Sequence, residues 1–235
     1  MKLPLSNRLL ACCNYIKPGD RVADVGCDHG YLSIYLLKQG IAGSVIASDI
    51  HEQPLLSAVR NAEKYGVRDR MTFFLSNGVQ NIPRDFGVLV CAGMGGDTMV
   101  SILEAGPWLR DHRYRLILQC QSKTPLLRRY LSENGWQIRE ETVVRDKRFL
   151  YTVMEVCWKP DAPALSPGQW YFPPALLENP GPETGEYFRR VVKKLRIAAN
   201  GRGETEGSFL KSCLTELEAL AESRDLPWLK EEESI

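Results

Sequence analysis

The 235-residue chain has no C-x-x-C pair, only three histidines, and no run of 18 apolar residues. Seven cysteines without that spacing, and with few histidines to join them, argue against a zinc site. Their odd number and their place in apolar runs predict buried free thiols in a reducing compartment. With no long apolar run a membrane-spanning helix is excluded, and Met1–Asn14 lacks the apolar core of a signal peptide, so the expected location is the cytoplasm. A charge excess is also missing. Thirty Lys and Arg face 29 Asp and Glu, a net charge of +1. Any surface for nucleic acid must then come from local segregation of charge. The length suits one full α/β domain with a small appendage and is too short for two large domains.

What the chain does have is alternation. Leu5–Tyr15 has helix spacing and ends at the turn Lys17-Pro18-Gly19-Asp20. Apolar strand patterns follow at Arg21–Gly26, Ser44–Ser48, Met71–Leu75, Val88–Ala92 and Arg115–Cys120. Helical patterns lie between them at Tyr31–Lys38, Pro54–Tyr65 and Asp97–Glu104. A further helix opens with Thr124 as cap and Pro125 at its first position. Such alternation predicts βαβ units and a parallel sheet. Ile138–Val144 and Leu150–Trp158 are separated by a short charged turn and read as a hairpin, so one late strand runs antiparallel. The expected fold is α/β: a Rossmann-like, doubly wound sheet of about seven strands in the layout of class I methyltransferases. Trp136 and Trp158 are expected in its core.

Residues 160 to 182 hold seven prolines and no clear periodicity. We take 1–160 as the main domain, 161–182 as a linker, and 183–235 as an antiparallel helical hairpin turning at Gly201-Arg202-Gly203. Charge segregates in the hairpin. Residues 181–202 carry six basic and two acidic side chains, and residues 204–235 carry nine acidic and three basic. Complementary helix faces would explain this. So would a basic helix offered to RNA phosphates through Arg189, Arg190, Lys193 and Lys194.

The segment Val22–Leu32 reads V-A-D-V-G-C-D-H-G-Y-L. It resembles a nucleotide-binding turn, except that Asp28 stands where a dinucleotide site has its middle glycine. Two carboxylates, Asp24 and Asp28, flank Gly26 and would repel a pyrophosphate. S-adenosyl-L-methionine has no phosphate and carries a sulfonium and an ammonium, which favour carboxylates. Asp24 can take the ammonium. Asp49, 25 residues further on and followed by Ile50, ends the second strand where a carboxylate accepts both ribose hydroxyls. Asn77-Gly78 ends the third strand, where an amide can meet the adenine edge. Gly93 and Met94, in A-G-M-G-G, end the fourth, where glycine lets backbone approach the methionine part. Each signal alone is weak, because strand ends often carry Asp and Gly as turn residues. Together they fall at consecutive strand ends in one crevice.

The methyl acceptor is narrowed by what the fourth strand end lacks. Enzymes acting on exocyclic amines commonly carry D-P-P-Y or N-P-P-Y there, and this chain has no such side-chain acceptor. Methylation of pyrimidine carbon 5 needs a cysteine nucleophile, and Cys91 and Cys120 read better as buried small hydrophobes. A ring nitrogen with its own lone pair needs positioning, exclusion of water, and a carboxylate to hold the base or offset charge. Asp28 is available for that.

L-S-N-R-L at Leu5–Leu9, D-V-G-C-D-H-G-Y-L at Asp24–Leu32, A-G-M-G-G at Ala92–Gly96, I-L-E-A-G at Ile102–Gly106 and R-L-I-L-Q at Arg115–Gln119 together resemble the bacterial tRNA (adenine-22-N1)-methyltransferase family, TrmK. The likeness runs from about Leu3 to Glu155, and the terminal hairpin resembles that family's coiled-coil appendage. It implies an S-adenosyl-L-methionine-dependent enzyme, tRNA as partner, Asp28 as the catalytic residue, and Asp24 serving the cofactor. It also favours Arg8 reaching the substrate. The chain departs from the family pattern at Asn77, at Cys120-Gln121 and at Thr152. Gln119, His29 and Tyr151 join the candidate substrate residues. His29 either steers Asp28 or packs on the next helix, and Tyr151 either stacks on an unstacked base or belongs to the core. Two rival readings remain, a small-molecule methyltransferase of the same fold and a non-catalytic RNA-binding relative.

Overall fold

A computed structural model of the chain describes residues 3–223 apart from residue 202. Arg202 of the basic run and residues 224–235 of the acidic run lie outside the described residues. The seven strands are β1 (Asp20–Val25), β2 (Ala42–Asp49), β3 (Met71–Leu75), β4 (Val88–Gly95), β5 (Arg115–Ser122), β6 (Trp136–Asp146) and β7 (Phe149–Trp158). They form one sheet in the order β3-β2-β1-β4-β5-β7-β6. All pairs are parallel up to β5, and β7 inserts antiparallel between β5 and β6. The sequence-predicted hairpin is therefore the sheet's edge.

The parallel strands are apolar on both faces because helices cover both. Val22, Val45, Val90 and Ile117 pack toward α1 (Asn7–Cys13), α2 (Tyr31–Lys38) and α3 (Glu52–Lys64). Ala23, Ile46, Leu89 and Leu118 pack toward α4 (Gly96–Ala105) and α5 (Thr124–Glu133). Each fully buried Leu or Ile contributes about 1.5–3 kcal/mol. Trp136 is buried, and Trp158 meets it edge to face at 5.4 Å. The first helix is shorter than its spacing suggests. The start of α5 also differs from the expectation: Lys123 at φ +57 caps it, and Thr124 is its first helical residue. The left-handed Lys123 turns the chain so that its own carbonyl accepts from Leu126 and Leu127.

The proline-rich stretch is not bare connection. It carries α6 (Pro167–Tyr171) and α7 (Ala175–Glu178), each too short to show periodicity. Its Phe172 and Leu176 are buried in a third core with Phe188, Val192 and Leu195 of α8 (Thr184–Gly201), Leu210 and Leu217 of α9 (Glu204–Ser223), and Val143 of β6. Arg128 of α5 locks this layer to the sheet. Its buried guanidinium donates to Glu141 at 2.6 and 3.2 Å, to the carbonyls of Trp170 and Tyr171 at 3.0 and 2.8 Å, and to the Tyr187 hydroxyl at 3.4 Å. Among the described residues no helix is long and apolar enough to cross a membrane.

Candidate active-site crevice

The strand order reverses between β1 and β4, so their carboxyl ends diverge and leave a crevice. The turn after β1 lines it. Gly26 has φ +73, and a Cβ there would lie 2.1 Å from the Met94 Cε. Asp28 has φ +50, a conformation side chains rarely take, and costs about 1 kcal/mol. The turn is held from the next strand. Asp49 accepts from the Asp28 N–H at 3.0 Å through Oδ2 and from the His51 N–H at 2.9 Å through Oδ1. Each carboxylate oxygen keeps a lone pair for a ligand hydroxyl, in a direction two backbone donors have fixed.

Asp24 is 3% exposed and accepts from the Ser33 hydroxyl of α2 at 2.6 Å. Burial pushes its carboxyl up to about 6; the Ser33 bond pulls against that shift and the Asp49 charge adds to it. A cation delivered to this point would find a carboxylate poorly solvated and short of positive partners. Nothing local in the sequence marked Ser33 for that role.

The crevice has two continuous parts that share Gly26, Asp49, Ile50, Met94 and Thr98. The smaller, about 370 Å³, adds Asn77, Gly78 and Ile102. Gly78 sits at φ +58, where a Cβ would come within 2.9 Å of Ile102. Ile50 is 54% exposed, an apolar side chain offered to a flat ligand. The larger part, about 610 Å³, adds Asp24, Asp28, His29, Tyr31 and Arg8. The Asp28 side chain is 71% exposed, with His29 Nε2 3.6 Å from its Oδ1. Cofactor-type residues and the proposed catalytic carboxylate thus share one space.

Arg8 forms a wall of the larger part. Its Nη1 donates to Gln119 Oε1 at 2.9 Å, and its Nε lies 3.6 Å from Asp146. The Gln121 amide, oriented by this donor, accepts from Nη1 at 3.1 Å. Gln119 is wholly buried, also accepts from the Gly93 N–H at 3.1 Å, and spends its amide N–H on the Cys120 carbonyl. It supports Arg8 and the β4 end and does not line the crevice. Asp146 had no signal in the sequence, and Gln121 stood out there only as a departure from the family pattern, although a glutamine at alternate positions of β5 was a visible sign of a role.

The other candidates lie apart. Tyr151, Arg190 and Lys194 line a separate cleft between the β5 and β7 ends and α8. Arg189 and Lys193 line neither space. Arg196 pairs with Glu218 of α9 at 2.8 Å, so part of the charge segregation does serve the hairpin itself. All seven cysteines are free, and six are buried. Burial pushes the Cys91 thiol up to about 12 and raises that of Cys120, which leaves neither as a ready thiolate nucleophile.

The chain matches the methyltransferase-domain family over residues 5–154. It is 32% identical over 154 residues to the tRNA (adenine(22)-N(1))-methyltransferase of Bacillus subtilis strain 168, a likeness covering 65% of each chain. It spans 61% to 65% of the length of the relatives named as tRNA methyltransferases. The solved structure of the B. subtilis m1A22 tRNA methyltransferase TrmK superposes with a TM-score of 0.76 at 26% identity, covering 94% of this chain and 97% of that one. Streptococcus pneumoniae Sp1610, a candidate tRNA (m1A22) methyltransferase solved with S-adenosyl-L-methionine, gives 0.78 at 29% identity, covering 90% and 97%.

Proposed function

The chain belongs to the methyltransferase-domain family, and from that premise we propose that it transfers the methyl group of S-adenosyl-L-methionine to N1 of an adenine in tRNA, at position 22 by likeness to its relatives. The observation that carries this reading is the division of labour among three carboxylates in one crevice. Asp24 is buried, Asp49 is pinned by two backbone donors, and Asp28 stands 71% exposed beside them.

The residues fit the cofactor. The Gly26 turn, which no Cβ could enter without displacing Met94, leaves backbone open to a close ligand. Asp24 would hold the ammonium, Asp49 the ribose hydroxyls, and Ile50, Asn77 and Gly78 the adenine. When bound, the cofactor supplies a methyl carbon on a sulfonium, an electrophile that needs no proton transfer to react. The chain's own task is then positional. Asp28 accepts a hydrogen bond from the amino group beside N1 of the incoming base and turns the N1 lone pair toward the methyl carbon. Its negative charge offsets the positive charge that appears on the methylated ring. His29, at its side, steers that carboxylate. The target base must leave its stack to reach this depth, as base-modifying enzymes require.

The chain up to residue 160 would carry the chemistry, and α8, with Arg190 and Lys194 toward the cleft and Lys193 exposed, would meet RNA phosphates. A tRNA substrate and free thiols agree with a cytoplasmic location. The test is methyl incorporation from labelled cofactor into two tRNA transcripts, one with adenine and one with guanine at position 22. Incorporation into the first alone is expected. Equal incorporation into both would refute the assigned position.

A further inference from the structure

We propose that the cleft between the β5 and β7 ends and α8 binds the nucleotide flanking the target adenine, an inference that rests on the tRNA reading above. The cleft holds about 410 Å³, within the roughly 300–1,000 Å³ of ligand pockets. None of its lining residues belongs to the cofactor crevice.

Its chemistry is that of a nucleotide site. Tyr151 and Phe149 have rings 6.2 Å apart and tilted by 47°, the Arg148 guanidinium lies over Phe149 at 4.9 Å and leaves Tyr151 as the stacking ring, and Tyr171 and Tyr187 also line the cleft. Base stacking on an aromatic ring tolerates any base, because each has a π-face. Lys194 is exposed at the rim and makes no ion pair among the described residues. The other two cations at the rim are partly spoken for: Arg190 pairs with Glu186 at 2.6 Å and Lys123 with Asp97 at 2.9 Å. Glu206 also lines the cleft. The balance suits one phosphate beside Lys194 better than a polyphosphate.

Thr152 is the second, independent sign. It lines the same cleft, is 2% exposed, and its Oγ1 has no hydrogen-bond partner. Buried hydroxyls are normally satisfied, so an unpaired one beneath the cleft wall marks a spot that the protein's own groups leave incomplete.

The two spaces are one side-chain pair apart. Gln121 lines the cleft and accepts from Arg8, which lines the crevice beside Asp28. A base turned into the crevice therefore leaves its neighbour at the mouth of the cleft.

The test measures kcat and KM for tRNA with transcripts carrying each of the four nucleotides beside the target adenine. Wild type, Tyr151→Leu, Tyr151→Phe and Lys194→Ala are compared, with cofactor affinity by calorimetry and folding by thermal melt. Tyr151→Leu should raise KM for tRNA about tenfold, and Tyr151→Phe should retain the wild-type value. Lys194→Ala should raise KM several-fold. Cofactor affinity should not move. KM within twofold of wild type in both Tyr151→Leu and Lys194→Ala, with methylation otherwise normal, would overturn the inference. A wild-type protein that binds cofactor but methylates no tRNA would instead overturn the tRNA reading itself, and the inference with it.

Discussion

The side-chain oxygen of Gln119 accepts from Arg8 Nη1 at 2.9 Å and from the Gly93 N–H at 3.1 Å, deep inside the sheet. One atom thereby ties the first helix to the end of the fourth strand and sets the wall of the crevice. Gln119→Leu keeps the volume and removes the acceptor. It should cost about 1–3 kcal/mol in urea denaturation, because the half-buried Gly93 N–H and the Arg8 guanidinium both lose this acceptor. It should also raise KM for tRNA as Arg8 loosens. Gln119→Glu, which keeps the acceptor, should restore most of both. If Gln119→Leu is as stable and as active as wild type, the tie has no such role.

Asp28 is held by its backbone to Asp49 while its side chain stays exposed. Asp28→Asn preserves the N–H and changes only the carboxylate. Cofactor affinity by calorimetry should stay within about threefold, and methylation should fall at least a hundredfold, in the range of lost electrostatic stabilisation. Parallel loss of binding and turnover would show that Asp28 serves the cofactor.

Asp24 gives the cofactor site a pH dependence. Its carboxyl is raised from 3.8 to about 6, chiefly by burial. A raised carboxyl contributes stability to the ligand-free protein that is fully present below the unfolded value and is lost as pH rises through about 6. Binding runs the other way, since the ammonium favours the charged form. Affinity should be flat above pH 7 and fall up to tenfold per unit below about 6, and Asp24→Asn should abolish the step. A flat profile from pH 5 to 8 in the wild-type protein would exclude Asp24 as the ammonium's partner.

Arg128 and Glu141 are both wholly buried, and the pair joins α5, β6 and the helical layer. Arg128→Met should destabilise the fold by about 3–5 kcal/mol, because Glu141 is left charged and alone. The double change with Glu141→Leu should recover most of that loss. A single variant within 1 kcal/mol of wild type in a chemical-denaturation curve would contradict this anchoring.

The crevice was readable from sequence because its parts sit where apolar strands stop. Asp24, Asp49, Asn77 and Gly93 each follow or close such a run, and a parallel sheet brings strand ends together. The Arg8–Gln119 tie joins residues 111 apart, and no local pattern carries that distance. Nothing local singles out Arg128 for burial; its pairing with Glu141 of the following strand puts it inside. The basic run of the hairpin looks like one face on paper. At 100° per residue it divides, with Arg190 and Lys194 at the cleft and Arg196 turned to Glu218. The short helices of the proline-rich stretch escaped notice because a single turn has no period to detect.

The most direct test of the account is the identity of the methylated nucleoside. Purified protein is incubated with labelled S-adenosyl-L-methionine and unmodified tRNA transcript, and the RNA is digested to nucleosides for mass spectrometry. The account predicts N1-methyladenosine as the labelled product. Label in N6-methyladenosine or in a pyrimidine, or no labelled nucleoside while the cofactor still binds, would contradict it.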